Sequence, residues 1–307
     1  MCEALCADSS SSPMKTQPQY LFDSNGASVD PALAMFPNFG DGVFETVLVV
    51  NGELPFWKYH CARLEKSLYR LHIPLAQDII DQCLAAVLKM ESQVARGFFK
   101  LRLQVFRGAA AQYSGYASKD ATPLIKIDIE KIAEPCFESV DLTCSTIRLA
   151  FQPFLAGLKH MNRLEQVLAR KELDLINSAN ESSFSEALLF DQDDRLVEAI
   201  AANVFIQVDG QWRTPSLDGC GIEGVIRSWL VDQAFSELGQ SVSVESIALD
   251  SLAKIDAMFI CNAITGIREV RSLVLPGANV KGESKMRFSQ SSHVKAIASY
   301  WLSTVGV

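Results

Sequence analysis

Two dipeptides, Asn51-Gly52 and Asp209-Gly210, restrict this 307-residue chain more tightly than any other feature. Each sits between strand-like runs. Asn-Gly and Asp-Gly there favour two-residue turns, so the chain is expected to double back as antiparallel hairpins. The first turn joins Val47-Leu48-Val49-Val50 to Glu53-Leu54-Pro55-Phe56. A further turn, Asp191 to Asp194, separates Glu186-Ala187-Leu188-Leu189-Phe190 from Leu196-Val197-Glu198. Helical periodicity lies between the hairpins: Trp57, Cys61, Leu64, Leu68 and Leu71 recur at spacings of 4, 3, 4 and 3. Helices are also expected over Arg163–Ile176 and over residues 287–304. The pattern is that of a mixed α/β (α+β) chain.

The stretch 98–107 adds a strand with two distinct faces. Phe99, Leu101, Leu103 and Val105 alternate with Lys100, Arg102 and Gln104. Arg107 falls in phase with the apolar set, so its charge points inward at the strand's end. A buried guanidinium requires a carboxylate, either a structural partner or an anionic substrate. Strands over 124–129 and 140–149 follow. On the helix at 57–71, Lys66 and Arg70 read as a solvated basic face, with Arg63 beside them.

At this length a chain usually forms two domains. The boundary is expected near Leu149–Pro153, giving a small α/β domain over 19–150 and a larger one over 151–307. Residues 1–18, polar and rich in Ser, are expected to be disordered. A net charge of −8 argues against nucleic-acid and membrane-surface partners, and no apolar run reaches transmembrane length. The start Met1-Cys2-Glu3-Ala4-Leu5-Cys6 does not have the form of a signal peptide, so a cytoplasmic protein is expected. Eight scattered cysteines and four ungrouped histidines have no metal-ligand spacing, and no metal site is expected.

Several residues remain whose chemistry exceeds their local pattern. Lys159 lies between Gly157 and a helix start. Asn162 followed by Glu165 reads as a capping box. A lysine at such a junction is either a surface charge or an amine projecting into a cleft, where it can form a Schiff base if it is held partly unprotonated. Glu198 ends a hairpin strand. The glycine-rich stretch 214–227 enters a helix and can present free N–H groups to a phosphate. Asn262 reads as a turn former after the apolar run Met258–Cys261.

The run Leu155-Ala-Gly-Leu-Lys159-His-Met-Asn-Arg-Leu-Glu-Gln-Val-Leu-Ala-Arg170 resembles the cofactor-lysine segment of the fold-type IV pyridoxal-phosphate (PLP) enzymes. That group includes the branched-chain and D-amino-acid aminotransferases. The run Lys159–Gln166, and Thr46 after Gly40-Asp41-Gly42-Val43-Phe44-Glu45, look like its lyase branch, which acts on 4-amino-4-deoxychorismate. The resemblance spans about residues 20 to 305. It implies a two-domain fold with PLP in the cleft, a small-molecule substrate and a homodimer. Residue by residue, it implies Lys159 and Thr46 as catalytic groups and Arg63 of His60-x-x-Arg63-Leu64 on the PLP phosphate. It also implies Glu198 and Asn203 of the run Glu198–Phe205 at the cofactor, with Glu198 on the pyridine nitrogen. Gly224, Val225 and Ile226 would be backbone phosphate donors, with Asn262 and Ala263 beside the phosphate. Arg107 would then be the receptor for a substrate carboxylate. The loop 108–118 departs from the lyase pattern: Ser114-Gly115-Tyr116 stands where Arg-Gly-Tyr is usual.

Overall fold

The computed structural model describes residues 19–29, 40–107, 123–276 and 285–307. The stretch 1–18 and the 108–118 loop lie outside the described residues. The first half contains β1 (Gln19–Phe22), β2 (Ser28–Val29), β3 (Gly42–Val50), α1 (Trp57–Arg70), α2 (Gln77–Met90), β4 (Phe98–Arg107) and β5 (Pro123–Ile132). Its strands form one antiparallel sheet in the order β2-β1-β5-β4-β3. The second half contains β6 (Glu138–Leu149), α3 (Leu164–Asn180), β7 (Glu186–Asp191), β8 (Leu196–Ala199), β9 (Asn203–Val208) and β10 (Gln211–Pro215). α4 (Val225–Trp229) continues through a π-helical stretch, Leu230–Ala234, into α5 (Phe235–Glu237). Then come β11 (Val242–Glu245), β12 (Ala257–Asn262), β13 (Gly266–Val274), β14 (Lys285–Arg287) and the closing α6 (Ser292–Val305). The strands of this half form a nine-stranded mixed sheet, β11-β10-β9-β12-β13-β6-β7-β8, with β14 on β13. No helix among the described residues is long and apolar enough to cross a membrane.

Both dipeptide turns form. Asn51 and Gly52 have φ of 51° and 86°, and Asp209 and Gly210 have 50° and 75°. These left-handed angles let a two-residue turn follow the strand twist. The 209–210 turn joins β9 to β10 as expected. The return arm after 51–52 stops at a single bridge, Val50 to Glu53, because the chain turns at once into α1. The strand at 138–149 pairs with β13 and β7, so the change of sheet precedes the 149–153 connection.

β3 takes part in two cores. Val43, Val47 and Val49 pack with Leu64 and Leu68 of α1 and with Leu84 and Val87 of α2. Leu48 and Val50, on the opposite face, pack with Phe205, Trp229, Phe259 and Trp301 of the second half. Each such fully buried side chain contributes about 1.5–3 kcal/mol. Period-2 alternation in one strand therefore fastens the two sheets to each other, and the remaining outward positions, Phe44 and Thr46, face the cleft between them.

Two helix starts differ from expectation. α3 begins at Leu164, and its N-cap residue Arg163 makes no side-chain cap. The expected capping box is absent because both of its members bond elsewhere: Asn162 Nδ2 donates to the Gly40 carbonyl at 3.2 Å, and Glu165 Oε1 accepts from the Ala150 N–H at 2.9 Å. α6 begins at Ser292 rather than 287, capped by Ser291, whose Oγ accepts from the Val294 N–H.

Candidate active site

The cleft holds a cavity of about 440 Å³ that gathers residues from distant parts of the chain. Thr46 comes from β3, Arg63 from α1, Lys159 from the loop before α3, and Glu198 from β8. Asn203 opens β9, Gly224, Val225 and Ile226 start α4, and Asn262 and Ala263 follow from the end of β12. A neighbouring cavity of about 1040 Å³ shares Phe44, Arg163 and Gln166 with it and adds Arg102, Gln104 and His160.

Lys159 is fixed by its backbone. Its carbonyl accepts from the Phe44 N–H at 2.9 Å, and the Met161 N–H donates to the Gly42 carbonyl, tying the loop to β3. On the other side the Gly157 N–H donates to the Gly221 carbonyl and the Glu223 N–H to the Gly157 carbonyl. Gly157 has a φ of 80°, which a side chain would strain. The amine sits 4.5 Å from the centre of the Phe44 ring. Burial and the Arg63 charge pull it down to about 7, against the opposing pull of Glu45 and Glu198.

Glu198 is buried, and burial holds its carboxyl above the usual range. Arg163 opposes that effect, as do the Ile222 N–H, which donates to Oε2 at 2.8 Å, and the Gln166 amide, which donates to Oε1 at 3.2 Å. Arg63 is buried against Glu45: its Nε donates to Oε1 at 2.8 Å and Nη2 donates to Oε2, while Nη1 donates to the Glu223 carbonyl at 2.9 Å. Three of the five guanidinium N–H groups are so engaged among the described residues, leaving two for a ligand. Burial would raise Glu45, but Arg63 and His60 outweigh it and hold the carboxyl down at about 2.

The start of α4 has the form of an anion cradle. Its first N–H groups have no intrahelical acceptor. A Cβ on Gly224 would lie 1.9 Å from Asn203 Oδ1, so only glycine permits Asn203 to pack there while its Nδ2 donates to the Ile222 carbonyl at 2.8 Å. Asn262 is a turn former and also a cavity residue. Its Oδ1 accepts from the Ile264 and Thr265 N–H groups, and its Nδ2 donates to the Ala201 carbonyl.

Residues 42–273 match the family model for amino-transferase class IV. The chain belongs to the amino-transferase class IV family. An aminodeoxychorismate lyase of Vibrio harveyi is 30% identical over 246 residues, covering 78% of this chain and 85% of that protein. A putative branched-chain-amino-acid aminotransferase of Methanocaldococcus jannaschii is 29% identical over 230 residues, with coverages of 72% and 75%. A solved structure of 4-amino-4-deoxychorismate lyase from Pseudomonas aeruginosa, 30% identical, superposes with a TM-score of 0.74 over 93% of this chain and 98% of that one. This class IV chain thus has the fold-type IV architecture and is an enzyme of the aminotransferase and lyase group.

Arg107 is the one singled-out residue that does not line the class IV cavity. Its Nε donates to Asp41 Oδ2 at 2.7 Å, and its two Nη groups donate to the carbonyls of His72 and Leu71. Of the two partners its inward position allowed, the structural carboxylate is the one found among the described residues. Lys66 and Arg70 are not simply solvated either. Lys66 pairs with Glu223 at 2.7 Å, and Arg70 donates to the Phe154 and Ala156 carbonyls, bracing the Lys159 loop. Sequence reasoning assigned no role to Phe44, Lys100, Arg163 or Gln166, all of which line the cavity. For Lys100 the signal was the polar alternation of strand 98–107. For Arg163 and Gln166 there was none beyond the motif itself.

Proposed function

We propose that this chain is a PLP-dependent lyase that converts 4-amino-4-deoxychorismate into p-aminobenzoate and pyruvate, a step of folate synthesis. The observation that carries the reading is Lys159: an amine held near neutrality, enclosed with Glu198, Thr46 and the α4 cradle. The residues fit PLP. Lys159 would carry it through its amine, Glu198 would face its ring nitrogen, and Asn203 and Asn262 would shape its pocket. Gly224, Val225, Ile226 and the two remaining Arg63 N–H groups would receive its phosphate. When bound, PLP supplies an electron sink, because its protonated ring withdraws the electron pair left when a substrate C–H bond breaks.

The chain's own groups do the rest. Lys159 Nζ, poised near neutral pH, takes the proton from the ring carbon that bears the substrate amine. The Thr46 hydroxyl, in the same cavity, relays it. As the adjacent C–O bond breaks, Lys159 returns a proton to the departing enolpyruvate oxygen, and the six-membered ring becomes aromatic. One C–H and one C–O bond break, enolpyruvate tautomerises to pyruvate, and no amino acceptor is consumed. Arg102 and Arg163 line the adjoining cavity and suit a dianionic substrate. The exposed apolar side chains Leu164 and Val167 line that cavity, which supports a homodimer in which a second copy covers it.

The test is a visible absorption scan of the protein with PLP before and after borohydride, followed by aminodeoxychorismate without keto acid. Equal yields of p-aminobenzoate and pyruvate are expected, with the band absent in Lys159→Ala. Amino transfer on adding a keto acid, with no product before it, would instead assign an aminotransferase, in line with the Methanocaldococcus relative. No band would end the PLP reading.

A further inference from the structure

Gln166 closes the run Lys159–Gln166, yet the reaction outlined above gives it no task. It is only 8% exposed and lies on the wall common to both cavities. Its Nε2 donates to Glu198 Oε1 at 3.2 Å, while its own Oε1 is buried with no hydrogen-bond partner among the described residues. A buried amide ordinarily satisfies both ends, and an orphaned acceptor is disfavoured. Reversing the amide would set its oxygen against the carboxylate oxygen, which is worse. The orientation of Gln166 is therefore dictated by Glu198.

Glu198 needs that donor. Among the described residues no guanidinium hydrogen-bonds it, in contrast to Glu45. The charged groups that act on it are Arg163 and Lys159, with the Cys220 thiol also within electrostatic reach. Its hydrogen bonds among the described residues come from the Ile222 N–H and from Gln166, and Gln166 is the side chain of the two. A hydrogen bond to the ionised form stabilises that form.

We propose that Gln166 is the positioning residue for Glu198, holding the carboxylate ionised and aimed into the cavity, and that it acts on the reaction through that carboxylate alone. The inference rests on the proposed reading that Glu198 faces the ring nitrogen of bound PLP. Without the Gln166 N–H, Glu198 competes better for the ring-nitrogen proton. The bound ring would then withdraw less charge, and Lys159 would keep its proton to higher pH.

The holoenzyme and its Gln166→Met and Gln166→Leu variants, both lacking the donor at similar volume, are compared by pH titration of the visible band of bound PLP. An upward shift of the midpoint by about one unit is expected in both, the scale of losing one hydrogen bond to a charge. A midpoint unmoved in a folded, PLP-loaded variant overturns the proposal. Failure of both variants to fold also overturns it, since Gln166 would then be a packing residue. Absence of the band in the unmodified protein is a different failure: it removes the PLP reading itself.

Discussion

Glu45 and Glu198 are both buried, and both act on Lys159, but from different sheets and with different hydrogen-bond partners. Glu45, on β3, is gripped by two Arg63 nitrogens and by His60 Nδ1 at 2.7 Å, and its carboxyl is held down at about 2. Glu198, on β8, has a backbone N–H and an amide, and burial pushes its carboxyl up. Equal burial thus produces two kinds of acid. A carboxylate with a guanidinium against it is a fixed anion that aims Arg63 at the cleft. One with only neutral donors can still exchange charge with a ligand.

The sharpest way to break this contrast is to neutralise each acid in turn. Glu45→Gln leaves Arg63 buried without its counter-ion and is expected to destabilise the protein by about 3–5 kcal/mol in denaturant unfolding at pH 7. Because the folded carboxyl lies below its usual value, its stabilisation is fully present above pH about 4.5 and is lost as pH falls toward about 2. Glu198→Gln should cost under about 2 kcal/mol, since Arg163 keeps its hydrogen bonds to the His160 and Leu158 carbonyls, while lowering kcat on the order of 10²–10³-fold. Equal stability losses would show that the two acids do the same job.

An effect of opposite sign is expected at the lysine they share. Lys159 is an amine whose folded value, about 7, lies below its usual 10.5, so the folded state releases a proton that the unfolded chain keeps. Lys159→Met should therefore stabilise the cofactor-free protein by roughly 2–4 kcal/mol below pH 7. That advantage should shrink as pH rises from about 7 toward 10.5, as thermal melts across that range would record. A flat difference would mean that the amine is solvated and charged. Smallest of all is Lys66→Ala. It removes a half-exposed pair with Glu223 and is expected to cost no more than about 1 kcal/mol, less at high salt, by the same unfolding measurement.

The fold was largely legible where local chemistry decides it. The Asn51-Gly52 and Asp209-Gly210 angles, the alternation of β4 and the apolar stripe of α1 follow from steric and burial rules that act within a few residues. The failures share one cause. Asn162 and Glu165 have the spacing of a capping box, yet a carbonyl 122 residues away and an N–H 15 residues away take them instead. Arg63, beside Lys66 and Arg70 on the helical projection, is buried because Glu45 lies opposite.

By itself the sequence determined the antiparallel hairpins, the helix after the lysine, and the placement of Lys159 in a connection rather than inside an element. Only the tertiary structure decided which charges are paired. Arg107 is engaged by Asp41, and Arg63 reaches Glu45 and, 160 residues on, the Glu223 carbonyl. Glu198 is left with neutral donors. Turn and strand preferences depend on each residue's own φ, ψ and periodicity. The ionisation of a buried group depends instead on how much water is removed and which charge replaces it, and both are fixed only when remote segments meet.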